Sequence, residues 1–105
     1  MDCIFCKIIN KDISANISYE DQEYIAFDDI RPKFNTHILI LPKKHIEVFH
    51  WVTQPQDKDI VKWMFDVAWE LIDKKNLSGC NLVLNSWSDY WQEIFHIHLH
   101  LMSND

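Results

Sequence analysis

The chain has 105 residues and a formal net charge of −6 at pH 7, with 48% hydrophobic and 25% charged residues. This length accommodates one hydrophobic core, so we expect a single globular domain over residues 1–105. Glycine occurs only once, as Gly79, where an average chain of this length contains about seven. One glycine cannot form the glycine-rich phosphate loops of P-loop or dinucleotide-binding proteins.

The basic residues and the apolar segments exclude two further classes. Arg31 is the sole arginine and no run exceeds two lysines, so we expect no nucleic-acid partner. No stretch approaches the roughly 18 apolar residues of a membrane span. The segment Met1-Asp2-Cys3 lacks the basic region followed by an apolar one that is typical of a secretion signal. Three cysteines are an odd number, which argues against a disulfide framework. We therefore expect a cytoplasmic protein without a membrane partner.

The first half of the chain predicts one short helix and three strands. Apolar residues within 2–9 fit one or two helical turns, and Ile17 and Tyr19 alternate with polar neighbours as in a brief strand. Residues 24–27 form a second predicted strand. Residues 37–41 are almost entirely apolar, which predicts a third strand buried on both faces.

A long helix is predicted to follow. Thr53 and Gln56 resemble a capping box, Pro55 falls in the first turn, and Gly79 lies where a stop signal is expected. Apolar residues that recur at three- and four-residue steps are Ile60, Trp63, Met64, Val67, Ala68, Leu71 and Ile72. Strands over 81–85 and 94–102 complete an α+β pattern with an antiparallel sheet.

Half of the six histidines lie in the last strand, as His96, His98 and His100. Side chains alternate along a strand, so all three imidazoles share one face. The opposite, core-facing positions are Phe95, Ile97, Leu99 and Leu101. This surface suits either of two functions. The imidazoles bind a metal ion, or the central one attacks phosphorus as a neutral nucleophile.

The segment from His96 to Met102, with histidine at every second position, resembles the signature of the histidine triad (HIT) family. Further segments resemble the Hint branch of that family in order and spacing, and together they cover roughly residues 3–102. They are residues 3–9, 19–21, 26–30, 36–37, 41–46, 82–85 and 92–95. The resemblance implies a HIT-like fold, a five-stranded antiparallel sheet with a long helix and a short N-terminal helix.

The resemblance also implies an activity. Hint-like proteins hydrolyse nucleoside 5′-phosphoramidates and related nucleotide conjugates at the α-phosphate through a nucleotidyl-histidine intermediate, without an organic cofactor. Alternatives are hydrolysis of dinucleoside polyphosphates, a nucleotide-binding module with little activity, and a protein whose histidines serve only a metal. Hint-like chains also form homodimers, which we expect here.

Residue roles follow from the match to the family. His98 matches the nucleophile, His100 a donor to the phosphate, and the His96 carbonyl the group that orients His98. His37 matches the fourth active-site histidine, and Asp29 the acid that binds the ribose hydroxyls. Asn85 and Gln92 match phosphate contacts, and Phe5, Ile8, Phe27 and Ile30 match the apolar slot for a purine base, as in AMP.

Some bacterial HIT proteins carry a structural zinc ion. Here the matching ligands are Cys3, Cys6, His45 and His96, a set that assigns His96 to structure and leaves the other triad histidines for chemistry.

Three residues that flank the glutamine depart from the family pattern. Relatives usually place glycine before the glutamine, where this chain has Tyr90 and Trp91, and serine after it, where this chain has Glu93. The aromatic residues either narrow the leaving-group side or form a stacking wall. Glu93 repels a phosphate when it is ionised, and donates a proton if its pKa is raised.

Overall fold

A computed structural model describes residues 3–49 and 55–105, apart from the side chain of Gln56. The elements in chain order are helix α1 (Ile4–Ile9), strands β1 (Ile17–Glu20), β2 (Tyr24–Asp28) and β3 (Thr36–Pro42), helix α2 (Pro55–Lys75), strand β4 (Asn81–Val83), a 3-10 turn (Ser88–Tyr90) and strand β5 (Leu99–Ser103). The strands form one antiparallel sheet in the order β1-β2-β3-β5-β4. The predicted fold class, with one long and one short helix, is confirmed.

Strand β3 lies at the centre of the sheet and is covered on both faces, as its apolar sequence predicts. Ile38 and Ile40 belong to the core cluster under α2. Leu39 and Leu41 belong to a second cluster under α1. The sheet is therefore sandwiched between the two helices, and the alternation along β3 separates the two cores.

Helix α2 buries one face against the sheet through Met64, Val67, Ala68 and Leu71. Pro55 is its first residue, as predicted. The helix ends at Lys75, four residues before Gly79, because Asn76 turns the backbone to a positive φ of 54°. Thr53, half of the predicted capping box, lies outside the described residues. Within residues 3–49 and 55–105, no helix is long and apolar enough to cross a membrane.

The last strand is shorter than predicted, because it begins at Leu99 and not at residue 94. Its final pairing with β3 joins Leu99 to Ile40. Two residues further along β3 stands Pro42, which has no N–H to offer a partner strand. The Pro42 carbonyl instead lies 2.7 Å from His96 Nε2, and the Ile97 N–H bonds to the loop after β3, at Ile46. The prediction of a paired strand over 94–98 is wrong for this reason. Strand β4 likewise ends at Val83, two residues early.

Candidate active site and metal centre

The histidine face predicted from the alternating sequence is present. Ile97, Leu99 and Leu101 lie in the core under α2, as predicted. His96 and His98 lie on the other side, where the Phe5 ring of α1 meets their rings edge-on at centroid distances of 6.0 and 5.1 Å. The alternation therefore persists at His96, Ile97 and His98, although the paired strand begins only at Leu99.

Phe95 does not join the core cluster that the alternation predicts for it. The chain bends at this point, and the half-buried Phe95 ring packs against Trp87 at 5.5 Å between centroids. Its alternating position therefore predicts the wrong neighbours, since the residue lies before the point at which the chain rejoins the sheet.

His98 is held in a single orientation. Its Nδ1 lies 2.8 Å from the backbone carbonyl oxygen of His96. A carbonyl only accepts hydrogen bonds, so Nδ1 carries the proton and Nε2 bears the lone pair. The side chain is buried, and this burial lowers the pKa of His98 below its ordinary value. The imidazole is therefore neutral at pH 7, with its nucleophilic nitrogen defined.

His37 and His100 form a second hydrogen-bonded unit. The Lys33 N–H donates to His37 Nδ1 at 3.1 Å, which places the His37 proton on Nε2. His37 Nε2 is 2.9 Å from His100 Nδ1 and donates to it. His100 must then carry its own proton on Nε2. Burial lowers the pKa of His37 and brings the pKa of His100 to about 4. The unit thus presents a neutral N–H donor beside His98, whose ring centroid is 5.0 Å away.

Asp29 lies at the edge of this unit. One carboxylate oxygen accepts the Arg31 N–H at 2.9 Å, which shapes the turn after β2. The other is 3.5 Å from His37 Nε2. The ligand atoms of Asp29, His37 and His100 lie close enough together to hold a cation, which would replace the proton between the two histidines.

The four residues of the metal centre that the resemblance predicts come together from three parts of the chain. Cys3 caps α1, and its Sγ accepts the Cys6 N–H at 3.4 Å, so both sulfurs lie at the same end of the helix. Cys6 Sγ is 3.3 Å from His45 Nδ1 and 3.6 Å from His96 Nδ1, and Cys3 Sγ is 3.5 Å from His96 Nδ1. The two Nδ1 atoms are 3.2 Å apart.

These separations match the edges of a coordination tetrahedron. Metal bonds of about 2.3 Å to sulfur and about 2.05 Å to nitrogen give edges of about 3.6 Å for S···N and about 3.3 Å for N···N. His96 also directs Nε2 at the Pro42 carbonyl, which fixes its tautomer with the Nδ1 lone pair towards the sulfurs. The group Cys3, Cys6, His45 and His96 is therefore able to hold a tetrahedral metal ion.

The residues predicted to line the base slot are only partly together. Phe5, Ile8 and Phe27 are buried in the cluster under α1, and the Phe5 and Phe27 rings meet edge-on at 5.6 Å. Ile30 is 84% exposed on the turn after β2, outside that cluster. Three of the four residues thus form one apolar wall beside His98, and their contact with a base stays a prediction.

Gln92 is buried with its amide occupied by backbone groups. Its Nε2 donates to the carbonyls of Glu47 and Ile94 at 2.6 and 3.1 Å, and its Oε1 accepts the Trp87 N–H at 2.8 Å. Asn85 is half-buried in the segment after β4. The amide of Gln92 holds the chain that enters the triad, and the phosphate contacts expected of both residues stay predictions.

Backbone groups at the site escaped prediction from sequence. The Lys33 N–H sets the tautomer of His37, and the Pro42 carbonyl orients His96. Every residue carries a carbonyl and nearly every residue an N–H, so no residue-type signal marks these roles.

Known proteins resemble the chain over nearly its whole length. The family model described as "Scavenger mRNA decapping enzyme C-term binding" matches residues 2–105. An uncharacterized HIT-like protein of Methanocaldococcus jannaschii is 38% identical over 100 residues, which cover 95% of this chain and 77% of that protein.

Two solved structures have the same fold. One is the crystal structure of a HIT family hydrolase from Legionella pneumophila, with 40% identity, a TM-score of 0.92, and coverage of 99% of this chain and 94% of that chain. The other is a histidine triad protein from Clostridium difficile, with 36% identity, a TM-score of 0.94, and coverage of 100% of this chain and 92% of that chain. Together with the histidine strand and its neighbours, these matches show that the chain belongs to the histidine triad family.

Proposed function

We propose that this protein is a hydrolase that cleaves nucleoside 5′-phosphoramidates or related nucleotide conjugates at the α-phosphate. The observation that supports this most directly is His98, a buried neutral imidazole whose Nδ1–H donates a hydrogen bond to the His96 carbonyl. Its free nitrogen is the nucleophile in the proposed reaction. The relative described as a HIT family hydrolase supports the reaction type.

The reaction has two displacements. In the first, His98 Nε2 bonds to the α-phosphorus, and the bond from phosphorus to the leaving amine breaks, with water supplying the proton that the amine takes up. In the second, water attacks phosphorus, His98 leaves as the neutral imidazole, and the released proton replaces the one consumed. The His98 Nδ1 proton stays on Nδ1 throughout, and its hydrogen bond to the His96 carbonyl stabilises the cationic nucleotidyl-imidazole.

The neighbouring groups stabilise charge on the phosphoryl oxygens. His100 donates from Nε2, and its orientation depends on the bond that His37 makes to the opposite nitrogen. Asp29 binds the ribose hydroxyls beside this pair. Phe5 and Phe27 contribute to the apolar wall for a purine base, so AMP is the expected product from adenosine conjugates.

We infer that the ion held by Cys3, Cys6, His45 and His96 is zinc, because two thiolates and two imidazoles form a closed structural set. It would hold the start of α1 against the chain that enters the triad. The set needs reduced thiols, which agrees with a cytoplasmic location.

We also propose that the protein acts as a homodimer. Strand β4 is exposed along its whole length, and Trp69 on the outer side of α2 is 69% exposed. A second copy of the chain is the partner expected to cover these surfaces.

Covalent trapping tests the proposed function. Wild-type protein mixed rapidly with adenosine 5′-phosphoramidate and quenched in acid-free denaturant should carry one nucleotidyl group, mapped by mass spectrometry to His98. His98→Ala should lose both the adduct and the turnover, whereas Cys80→Ser, at an exposed thiol, should keep both. Turnover unchanged in His98→Ala would exclude the mechanism. Tight AMP binding without turnover in the wild type would favour the nucleotide-binding module.

A further inference from the structure

Two cysteines flank the aromatic ring that contacts the nucleophile. Cys3 caps helix α1 and Cys6 lies in its first turn, with Phe5 between them in the chain. The Phe5 ring meets the His98 ring edge-on at a centroid distance of 5.1 Å and the His96 ring at 6.0 Å. A change in the backbone between the two cysteines therefore moves a ring that is in contact with His98.

His96 connects the same sulfurs to the nucleophile by a second route. Its Nδ1 lies 3.5 Å from Cys3 Sγ and 3.6 Å from Cys6 Sγ. Its carbonyl oxygen accepts the Nδ1–H of His98 at 2.8 Å. The side chain of one residue thus contacts both sulfurs, and its backbone sets the tautomer of the nucleophilic imidazole.

The two sulfurs are close to each other, and they differ in accessibility. The ligand atoms of Cys3, Cys6, His45 and His96 all lie within 4.8 Å of one another. Cys6 is half-buried, whereas Cys3 is buried, with 7% of its surface exposed. An oxidant from solvent therefore meets the Cys6 sulfur first, and the Cys3 sulfur is the neighbouring thiol that reacts with the oxidised product.

A disulfide between these cysteines would take the metal centre apart. Two sulfurs in a tetrahedral set with metal bonds of about 2.3 Å are about 3.8 Å apart, whereas a disulfide joins them at about 2.05 Å. Bridging therefore draws both sulfurs away from His96 Nδ1 and contracts the start of α1, which carries Phe5. Only His45 and His96 would remain as ligands, fewer than the three or four protein ligands of zinc sites.

We propose that a peroxide oxidises Cys3 and Cys6 to a reversible disulfide, and that this disulfide switches off the reaction at His98. This inference rests on the proposed function and on the proposed ion. In the oxidised protein the His96 ring has lost both sulfur partners and Phe5 has shifted, so His98 is no longer held in its reactive orientation. Reduction of the disulfide restores both contacts.

The oxidation has two steps. The Cys6 sulfur attacks one oxygen of hydrogen peroxide, the O–O bond breaks, and hydroxide leaves with the electron pair of that bond. The Cys3 thiolate then attacks the Cys6 sulfur of the resulting sulfenic acid, and a second hydroxide leaves. The sulfurs lose two electrons in total and the peroxide gains them, while protons from solvent convert both hydroxides to water.

Peroxide treatment of Cys80→Ser tests the switch, because this background lacks the exposed thiol. Oxidised protein should contain a Cys3–Cys6 disulfide by peptide mass spectrometry and should release its zinc to a chromogenic chelator. Turnover of adenosine 5′-phosphoramidate should fall about a hundredfold, the order expected when a reacting group is misplaced by about 1 Å. A phosphine reductant with added zinc should restore it. Cys6→Ser in the same background cannot form the bridge, so peroxide should leave its own turnover unchanged.

Proton NMR separates a local switch from unfolding. The His98 Nδ1–H resonance, assigned by its absence in His98→Ala, should disappear on oxidation. The methyl resonances of Ile38 and Leu101 should remain, because they belong to the core under α2, which contains no residue of α1. Loss of these methyl resonances would mean that oxidation unfolds the chain, and would overturn the inference.

The remaining outcomes distinguish the switch from the proposed function. Absence of the disulfide, a disulfide with unchanged turnover, or an inactive oxidised protein that retains the His98 Nδ1–H resonance overturns the inference while the proposed function stands. Failure of the reduced, zinc-loaded protein to hydrolyse the phosphoramidate overturns the proposed function and the inference together.

Discussion

At the scale of single residues, protons at the site are placed by backbone groups. Lys33 donates to His37, and His37 donates in turn to His100, so the far nitrogen of His100 keeps its hydrogen. This arrangement requires both rings to be neutral. Burial lowers the pKa of His100 from 6.5 to about 4, and a second proton on either ring would disrupt the bond between them.

The lowered pKa makes stability depend on pH. The unfolded chain binds a proton at His100 near pH 6.5, whereas the folded chain binds it only near 4. The stability that this residue contributes is therefore complete above about pH 6.5 and is lost as the pH falls towards 4. The drop in the urea midpoint between about pH 7.5 and about pH 5 should be smaller in His100→Asn than in the wild type. An equal drop in the urea midpoint of the two proteins would show that His100 does not carry the effect. Protonation of Cys3, Cys6, His45 and His96 cancels in this comparison, because both proteins contain these residues.

The conformation of Trp91 leads to an unusual stability prediction. Replacing a large side chain by glycine normally destabilises the folded state. At a φ of 71°, however, glycine relieves strain of about 1 kcal/mol that tryptophan bears. Trp91→Gly should therefore unfold at the same urea concentration as the wild type or a higher one. The control is Lys62→Gly, exposed within α2, where glycine should cost about 1 kcal/mol. A similar loss of stability in Trp91→Gly and in Lys62→Gly would contradict the strain at Trp91.

The residues that carry chemistry were predictable where side-chain type and spacing identify them. The alternation of His96, His98 and His100 with apolar residues predicts one face for the imidazoles, and the structure has this face. Gln92 shows the limit of such prediction. The sequence predicts a phosphate contact by resemblance, but the amide binds three backbone groups, which only the folded chain brings together.

At the scale of elements, α1 has six residues and depends on contacts beyond its own hydrogen bonds. Its N-cap, Cys3, and its first turn, through Cys6, supply two of the four residues of the proposed metal centre, so removal of the proposed ion should release the helix. Cys6→Ser should bind no zinc by elemental analysis and should unfold at a lower temperature than the wild type. Cys80→Ser changes an exposed thiol and should retain one zinc per chain.

The same experiment separates structural from catalytic histidines. His98→Ala should keep the proposed zinc, because His98 is not in the group of four residues that could hold the ion. Loss of zinc in His98→Ala would instead support a protein whose histidines serve only a metal. A full zinc content in Cys6→Ser would remove the basis for the proposed centre.

The elements differ in how well the sequence predicts them. Strand β3 was predictable because an apolar run that matches two hydrophobic layers has few alternatives. The beginning of β5 was not, since the alternating pattern continues through residues 94–98 although Pro42 ends the partner strand. Alternation reports which face each side chain takes, and pairing depends on a neighbour that is distant in sequence.

At the scale of the whole molecule, the two edges of the sheet are protected differently. At the β1 edge, Glu20 forms ion pairs with Lys11 at 2.6 Å and Lys43 at 2.8 Å. Charges of this kind prevent another strand from pairing there. At the opposite edge, β4 consists of Asn81, Leu82 and Val83, all exposed and uncharged. The β4 edge is therefore the one suited to a second copy of the chain.

A charge introduced at either edge tests this assignment. Leu82 on β4 and Ile17 on β1 are equally exposed, at 37% and 38%, so lysine at either position meets similar solvent in the single chain. Leu82→Lys should shift the protein from dimer to monomer in sedimentation velocity, since a second copy would bury the ammonium group. Ile17→Lys should remain dimeric at the same concentration. A monomeric wild type would exclude the proposed homodimer, and dissociation by Ile17→Lys alone would move the interface to the charged edge.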